Sequence, residues 1–147
     1  MTFKSIADLK QYIILRMHPA ITQAMDEVYN ILDEAIKGFY SDYDPHMYHR
    51  TRQLLHSLVR PEIVSTGNGY IGRVYFDGGK MSYWTGAKPS GQQVLETAMA
   101  GGHGATGLKV IGGTPVWSPA YSKIMAEIEP IIRSALIAAG IPIKWVF

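Results

Sequence analysis

Ser41-Asp42-Tyr43-Asp44-Pro45-His46-Met47-Tyr48-His49-Arg50-Thr51-Arg52-Gln53-Leu54-Leu55-His56-Ser57-Leu58 is the stretch on which the reading of the fold turns. Its first half is polar, aromatic and interrupted by Pro45, which describes a loop. Its second half places Leu54, Leu55 and Leu58 at helical spacing, with Thr51 positioned to cap a short helix. The residues N-terminal to it have helical periodicity, and those C-terminal to it alternate with period two. This junction therefore divides a helical half from a strand-rich middle.

On the N-terminal side, Ser5 stands three residues before Asp8, the spacing of a capping box. Ile6, Leu9, Ile13 and Met17 then share one stripe. Pro19 either kinks this helix or opens a new one at its first position. From Ala20, the residues Ala24, Val28, Ile31, Leu32, Ala35 and Phe39 recur at helical period, giving a helix on the order of 30 Å long. Gly38 and the Tyr40-Ser41-Asp42 run are expected to end it.

On the C-terminal side, Arg60-Pro61 stops the short element. Glu62 to Thr66 reads as a strand, Gly67-Asn68-Gly69 as a hairpin turn with positive φ supplied by Asn-Gly, and Tyr70 to Phe76 as the return strand. Along that strand Tyr70, Gly72, Val74 and Phe76 share one face, and Ile71, Arg73 and Tyr75 the other. Asp77 to Lys80 reads as a turn and Met81 to Trp84 as a third, shorter strand. Ser90 with Gln93 announces a helix carrying Val94, Leu95, Ala98 and Met99 on its apolar side. Gly102 to Gly113 reads as glycine-rich loop. Ser118 and Pro119 are expected to open a last helix with Tyr121, Ile124, Met125, Ile128, Ile131, Ile132, Ala135, Leu136 and Ala139 at helical spacing, kinked or broken at Pro130 and stopped by Gly140. The tail alternates, with Ile141, Ile143, Trp145 and Phe147 on one side, and Pro142 assigns it to an edge or a strand start. The expected architecture is one α+β domain over residues 1–147: a small antiparallel sheet against two long helices, with a short helix and Gly-rich loops.

At 147 residues with 47% apolar and 18% charged side chains, the composition is that of a folded chain able to bury a core rather than of a disordered one. A formal net charge of +2 gives no global pull toward a polyanion or an acidic partner. The absence of cysteine removes disulfides, thiolate metal sites and Cys nucleophiles. Lys4, Asp8, Lys10 and Arg16 interrupt any apolar leader core in residues 1–17, and no run approaches the roughly 20 apolar residues of a membrane span. The expectation is a product made in the cytoplasm, or packaged into a particle there, with no membrane partner.

Several patterns invite chemistry. Gly67-x-Gly69-x-x-Gly72 has the letters of a dinucleotide fingerprint, but that motif must open a helix, and here a strand comes next. Gly101-Gly102-His103-Gly104-Ala105-Thr106-Gly107 lacks the Lys-Ser/Thr ending of a phosphate loop and comes after a helix, so it reads as a flexible or interface loop. His46, His49 and His56 have no cysteine to join, and only Asp42 or Asp44 to complete a metal site. His103 has no serine in a nucleophile-elbow context, and no carboxylate pair stands in a recognisable frame. The sequence therefore predicts no catalytic residue, no metal and no cofactor. Arg50, Arg52, Arg60 and Arg73, among tyrosines and histidines, could track a nucleic-acid backbone or form ion pairs. Tyr40, Tyr43, Tyr48, Tyr70, Tyr83 and Trp84 lie in turn-flanked segments, as core or as interface anchors.

The tyrosine-rich loop with Pro45, then Tyr48-x-Arg50-Thr51-x-x-x-Leu55-x-Ser57, resembles the minor structural, tail-completion family of long-tailed bacteriophages. The order of the remaining segments is also similar to that family: an N-terminal helix, a hairpin-like middle, Gly101-Gly102-His103-Gly104, Trp117-Ser118-Pro119 entering a last helix, and an apolar final strand. The resemblance implies a virion protein of the head–tail joint, or neck, without enzymatic activity. It implies a homo-oligomeric ring, of six copies, that joins the tail to the head connector around the DNA channel. The partners so implied are the head–tail connector or stopper, the tail terminator or tail-tube proteins, and non-specific contact with channel DNA. Tyr43, Tyr48, Arg50, Arg52, Ile143, Trp145 and Phe147 become candidate contacts between copies or with partners; Arg60 and Arg73 become candidate channel or ion-pair residues. A tail terminator or head–tail stopper is the nearest alternative. A small nucleic-acid-binding module using the Arg50–Arg73 patch is the alternative from another class, and an enzyme with an unrecognised site is a third.

Overall fold

The computed structural model describes residues 2–41, 52–81, 90–100 and 115–141. Helix α1 runs without interruption from Ile6 to Ser41, 36 residues, with Pro19 inside it. It is about 54 Å long, well beyond the length expected from the segment after Pro19 alone. Its start is capped as the sequence predicts: the Ser5 Oγ accepts the Asp8 N–H at 3.1 Å. Ala20, Ala24, Ile31, Leu32, Ile36 and Phe39 are buried along it. Ile36, completely buried, is absent from the expected stripe, which has the half-buried Ala35 in its place.

Helix α2 is short, Gln53–Ser57, and strand β1, Leu58–Val59, comes immediately after it. Leu58 thus leaves the helix that its spacing suggests and adopts extended backbone (ψ 123). β1 pairs antiparallel with β4, Tyr75–Phe76, while β2, Val64–Ser65, pairs antiparallel with β3, Tyr70–Ile71. The registers, Val59 opposite Tyr75 and Val64 opposite Ile71, leave four residues on the first arm facing three on the second. One long hairpin is therefore broken by an extra residue at Arg60–Ile63. Pro61 lies in that break, where it has no N–H to give the ladder. The expected strands over 62–66 and 70–76 are shortened for this reason. The face assignment along 70–76 nevertheless holds: Ile71, Arg73 and Tyr75 are exposed, and Tyr70, Gly72, Val74 and Phe76 are not. At the tip it is Gly67 that takes positive φ (77°), as the first central residue of a type II′ loop requires, and not Asn68. The Thr66 N–H donates to Gly69 O at 3.0 Å across that loop.

The turn expected over Asp77–Lys80 is a 3₁₀ turn, Gly78–Lys80, with the Asp77 side chain accepting from Gly79 N–H. The Asp77 N–H donates to Ser57 O at 2.7 Å, tying the turn to the end of α2. The expected strand over Met81–Trp84 falls largely outside the described residues; Met81 itself is buried. Helix α3, Gly91–Met99, opens with the reciprocal capping box of Ser90 and Gln93. Helix α4 spans Trp117–Ala138 and passes through Pro130 unbroken. It starts at Trp117, preceded by Val116, with no side-chain cap, so Ser118 and Pro119 lie within its first turn. At that position Pro119 forfeits no intrahelical hydrogen bond, since the first N–H groups of a helix have no internal acceptor. Its end is a Schellman motif: Gly140 has φ 79°, the Ile141 N–H reaches Leu136 O, and the Gly140 N–H reaches Ile137 O.

α4 runs antiparallel to α1. Its Lys123 meets Glu34 near one end of α1, and Gly140, just past its C-terminus, lies near Tyr12 at the other. The hairpin packs on a different side of α1. There Lys10 Nζ donates to Asn68 Oδ1 at 2.8 Å, His18 meets Tyr70 edge to face, and Gly72 abuts Met25 and Ile21. At 100° per residue, Lys10, His18, Ile21 and Met25 lie on a different row of α1 from Tyr12 and Glu34. The core fills the C-terminal half of α1, where Ile31, Leu32, Ile36 and Phe39 meet Leu54, Leu58, Met81, Leu95, Val116 and Ala120. The fold class is α+β.

Candidate partner interface

The core stripe of α1 continues toward its N-terminus but loses its cover. α4 is 22 residues long against 36 for α1, about 33 Å against 54 Å. Ile6, at the uncovered end, is 86% exposed, and Leu9 is exposed as well.

The hairpin offers a second uncovered surface. Val64 and Ile71 are cross-strand partners, and both face solvent, Val64 at 61%. Tyr75, on the same side as Ile71 by strand alternation, is about half exposed. Arg73 lies between them in sequence and is exposed, with no ion-pair partner among the described residues. Behind it, a shallow depression is lined by Met25, Val28, Gly72, Val74 and Tyr75. The inner residues of the same arm pack on α1, which is why the outer ones cannot.

A third surface lies on α4. Trp117, Tyr121 and Met125 succeed one another four residues apart and are all about half exposed, Met125 at 58%. The rings of Trp117 and Tyr121 stack at 5.8 Å. Their spacing alone assigns Tyr121 and Met125 to the helix's packed stripe. The structure corrects this, because only Ala120 and Ala135 of α4 are fully buried. Spacing cannot separate them from the packed residues, since at about 100° per residue Tyr121 falls between Ile128 and Ile132 and Met125 between Ile132 and Leu136.

Of the residues singled out from sequence, Tyr43, Tyr48, Arg50, Ile143, Trp145 and Phe147 lie outside the described residues, as do His46, His49, Thr51 and the Gly101–Gly107 run. Arg52 is described. It is exposed and holds a left-handed backbone (φ 54, ψ 21) directly before α2. That conformation costs a non-glycine residue about 1–2 kcal/mol, and such strain concentrates where chains make functional contacts. Arg60 turns inward: it pairs with Asp26 at 2.7 Å and approaches Thr22 O at 3.4 Å, and its buried Nε has no partner among the described residues. Its role is to fasten the hairpin to α1. Arg60 is thus engaged by α1, whereas Arg73 is exposed; Arg50, of the same expected basic patch, lies outside the described residues. The Gly67–Gly72 motif forms a hairpin loop and strand, so it presents no helix N-terminus to a pyrophosphate. Among the described residues, no three His, Asp or Glu side chains converge as a metal site, and no helix is long and apolar enough to cross a membrane.

Neither the curated proteins nor the solved structures include a match to this chain. One protein-family model, YomN, matches residues 5–138, which spans the start of α1 to the end of α4. With nearly the whole chain covered, including all three uncovered apolar surfaces, the protein belongs to the YomN family, a phage-derived family.

Proposed function

We propose that the protein is a structural subunit of the virion at the phage head–tail joint, a tail-completion or neck protein without catalytic activity. In this reading it forms a homo-oligomeric ring, of six copies, that joins the tail to the head connector around the DNA channel. Its partners are further copies of itself, the connector or stopper on one side, and the terminator or tail-tube proteins on the other. Tyr43, Tyr48, Arg50 and Arg52, with Ile143, Trp145 and Phe147, contribute to those contacts; any contact with channel DNA is through phosphate and independent of sequence. The protein is assembled in the host cytoplasm and resides in the virion.

The observation that supports this reading most is the exposure of large apolar side chains on outward faces of otherwise well-packed elements: Val64, Ile71 and Tyr75 on the hairpin, and Trp117, Tyr121 and Met125 on α4. Scattered exposed apolar residues are ordinary, whereas rows of aromatic and aliphatic side chains mark surfaces that other proteins cover. The phage origin of the family agrees with such a role. Sedimentation velocity of the purified full chain over a hundredfold concentration range, alone and with purified connector, tests it. The expected result is a closed oligomer or a stable connector complex. A chain that remains monomeric at every concentration and ignores the connector overturns the proposal.

A further inference from the structure

A ring needs two different surfaces on each subunit, one meeting the other on the next copy; two copies of one surface would close a dimer instead. The hairpin face and the α4 row meet that requirement by position, since hairpin and α4 flank α1 on different sides. They are also matched in size, with three large, partly exposed apolar side chains each: Val64, Ile71 and Tyr75 on one, Trp117, Tyr121 and Met125 on the other.

Charge selects the pairing. Arg73 sits between Ile71 and Tyr75 on the exposed side of the strand arm. On α4, Glu129 lies four residues beyond Met125, extending the same row, and is exposed. Among the described residues neither Arg73 nor Glu129 has an ion-pair partner, whereas Lys123 of α4 is already engaged by Glu34. Like-with-like association of the hairpin face would bring Arg73, central on that face, close to the Arg73 of the other copy, which is repulsive. Hairpin against α4 instead offers Arg73 an opposite charge beside an apolar contact. A contact of ordinary size buries about 800 Å² per partner, so these side chains form its apolar centre rather than all of it.

We propose, resting on the ring reading above, that the outer hairpin face of one copy seats on the Trp117–Met125 row of the next, with Arg73 paired to Glu129 across the contact. The test is charge reversal in the full chain: Arg73→Glu, Glu129→Arg and the double reversal, each examined by sedimentation velocity and native mass spectrometry. Both positions are exposed, so circular dichroism should match the parent chain. Each single reversal should weaken self-association about tenfold or more, and the double reversal should restore most of it. If the parent chain assembles and all three variants assemble equally well, the pairing is wrong while the ring reading stands. Single reversals that weaken assembly with no recovery in the double variant also overturn the pairing. If the parent chain does not assemble at all, the ring reading fails and this inference with it.

Discussion

Gly91 and Gly38 are both helical glycines, and replacing each by alanine should move stability in opposite directions. Alanine is favoured over glycine inside a helix by up to about 1 kcal/mol because it loses less backbone freedom on folding. At Gly38 an added Cβ meets nothing within 4 Å among the described residues, so most of that preference is realised. At Gly91 the added Cβ falls inside the van der Waals shells of Gly78 O and Met81 O, both backbone atoms. Neither can step aside cheaply, because Gly78 O already accepts the Met81 N–H at 3.1 Å within the 3₁₀ turn. Separating α3 from that turn should cost about 1–3 kcal/mol, which outweighs any helical gain. At about 2–4 °C per kcal/mol for a chain of this size, Gly38→Ala should raise Tm by about 1–4 °C and Gly91→Ala should lower it by about 2–12 °C. Thermal and urea unfolding monitored by far-UV circular dichroism would read both. A Gly91→Ala variant as stable as the parent chain, or more so, would refute the close approach of α3 to the 3₁₀ turn.

Other expectations rest on the same packing. Ile36→Ala removes a completely buried side chain and should cost about 2–5 kcal/mol in urea unfolding. Ser90→Ala breaks the capping box of α3 and should cost about 1 kcal/mol, seen as earlier exchange of the α3 amides. A double-mutant cycle on Arg60 and Asp26 should give a coupling of only about 0.5–1 kcal/mol, because the Asp26 carboxylate is largely solvated; a coupling of several kcal/mol would mean a far drier joint. Arg52→Gly relieves a left-handed backbone and should stabilise the isolated chain by about 1 kcal/mol while weakening assembly, if the strain serves the contact.

How much of this can be read from the residues depends on whether a signal is local. The Ser5 and Ser90 caps, the α3 face and the alternation along Tyr70–Phe76 are set by neighbours three or four positions away, or two in a strand, and all are found as expected. The continuity of α1 through Pro19 is not legible, because a proline costs a helix one bond and a clash that packing along both neighbouring turns can outweigh. Similarly, α4 holds together through Pro130. Leu58 is misplaced by its spacing because its partner, Phe76, is eighteen residues away, and a ladder register cannot be seen from periodicity. Arg60 and Arg73 look like equivalent cations in the sequence; only the break in the hairpin decides that one faces Asp26 and the other solvent. The exposed α4 row is hidden by its own regularity, since Tyr121 and Met125 fit the apolar period as well as the residues that do pack.

If this chain works by holding other virion proteins at the head–tail joint, its position in the particle is the decisive observable. That position can be read in a cryo-electron microscopy reconstruction of particles from a phage that carries it, with the chain labelled by a short epitope inserted in the exposed Gly67–Gly69 tip. A ring of label density between head connector and tail tube is expected. Label absent from the particle, or confined to capsid faces or tail tip, would contradict a role at the joint.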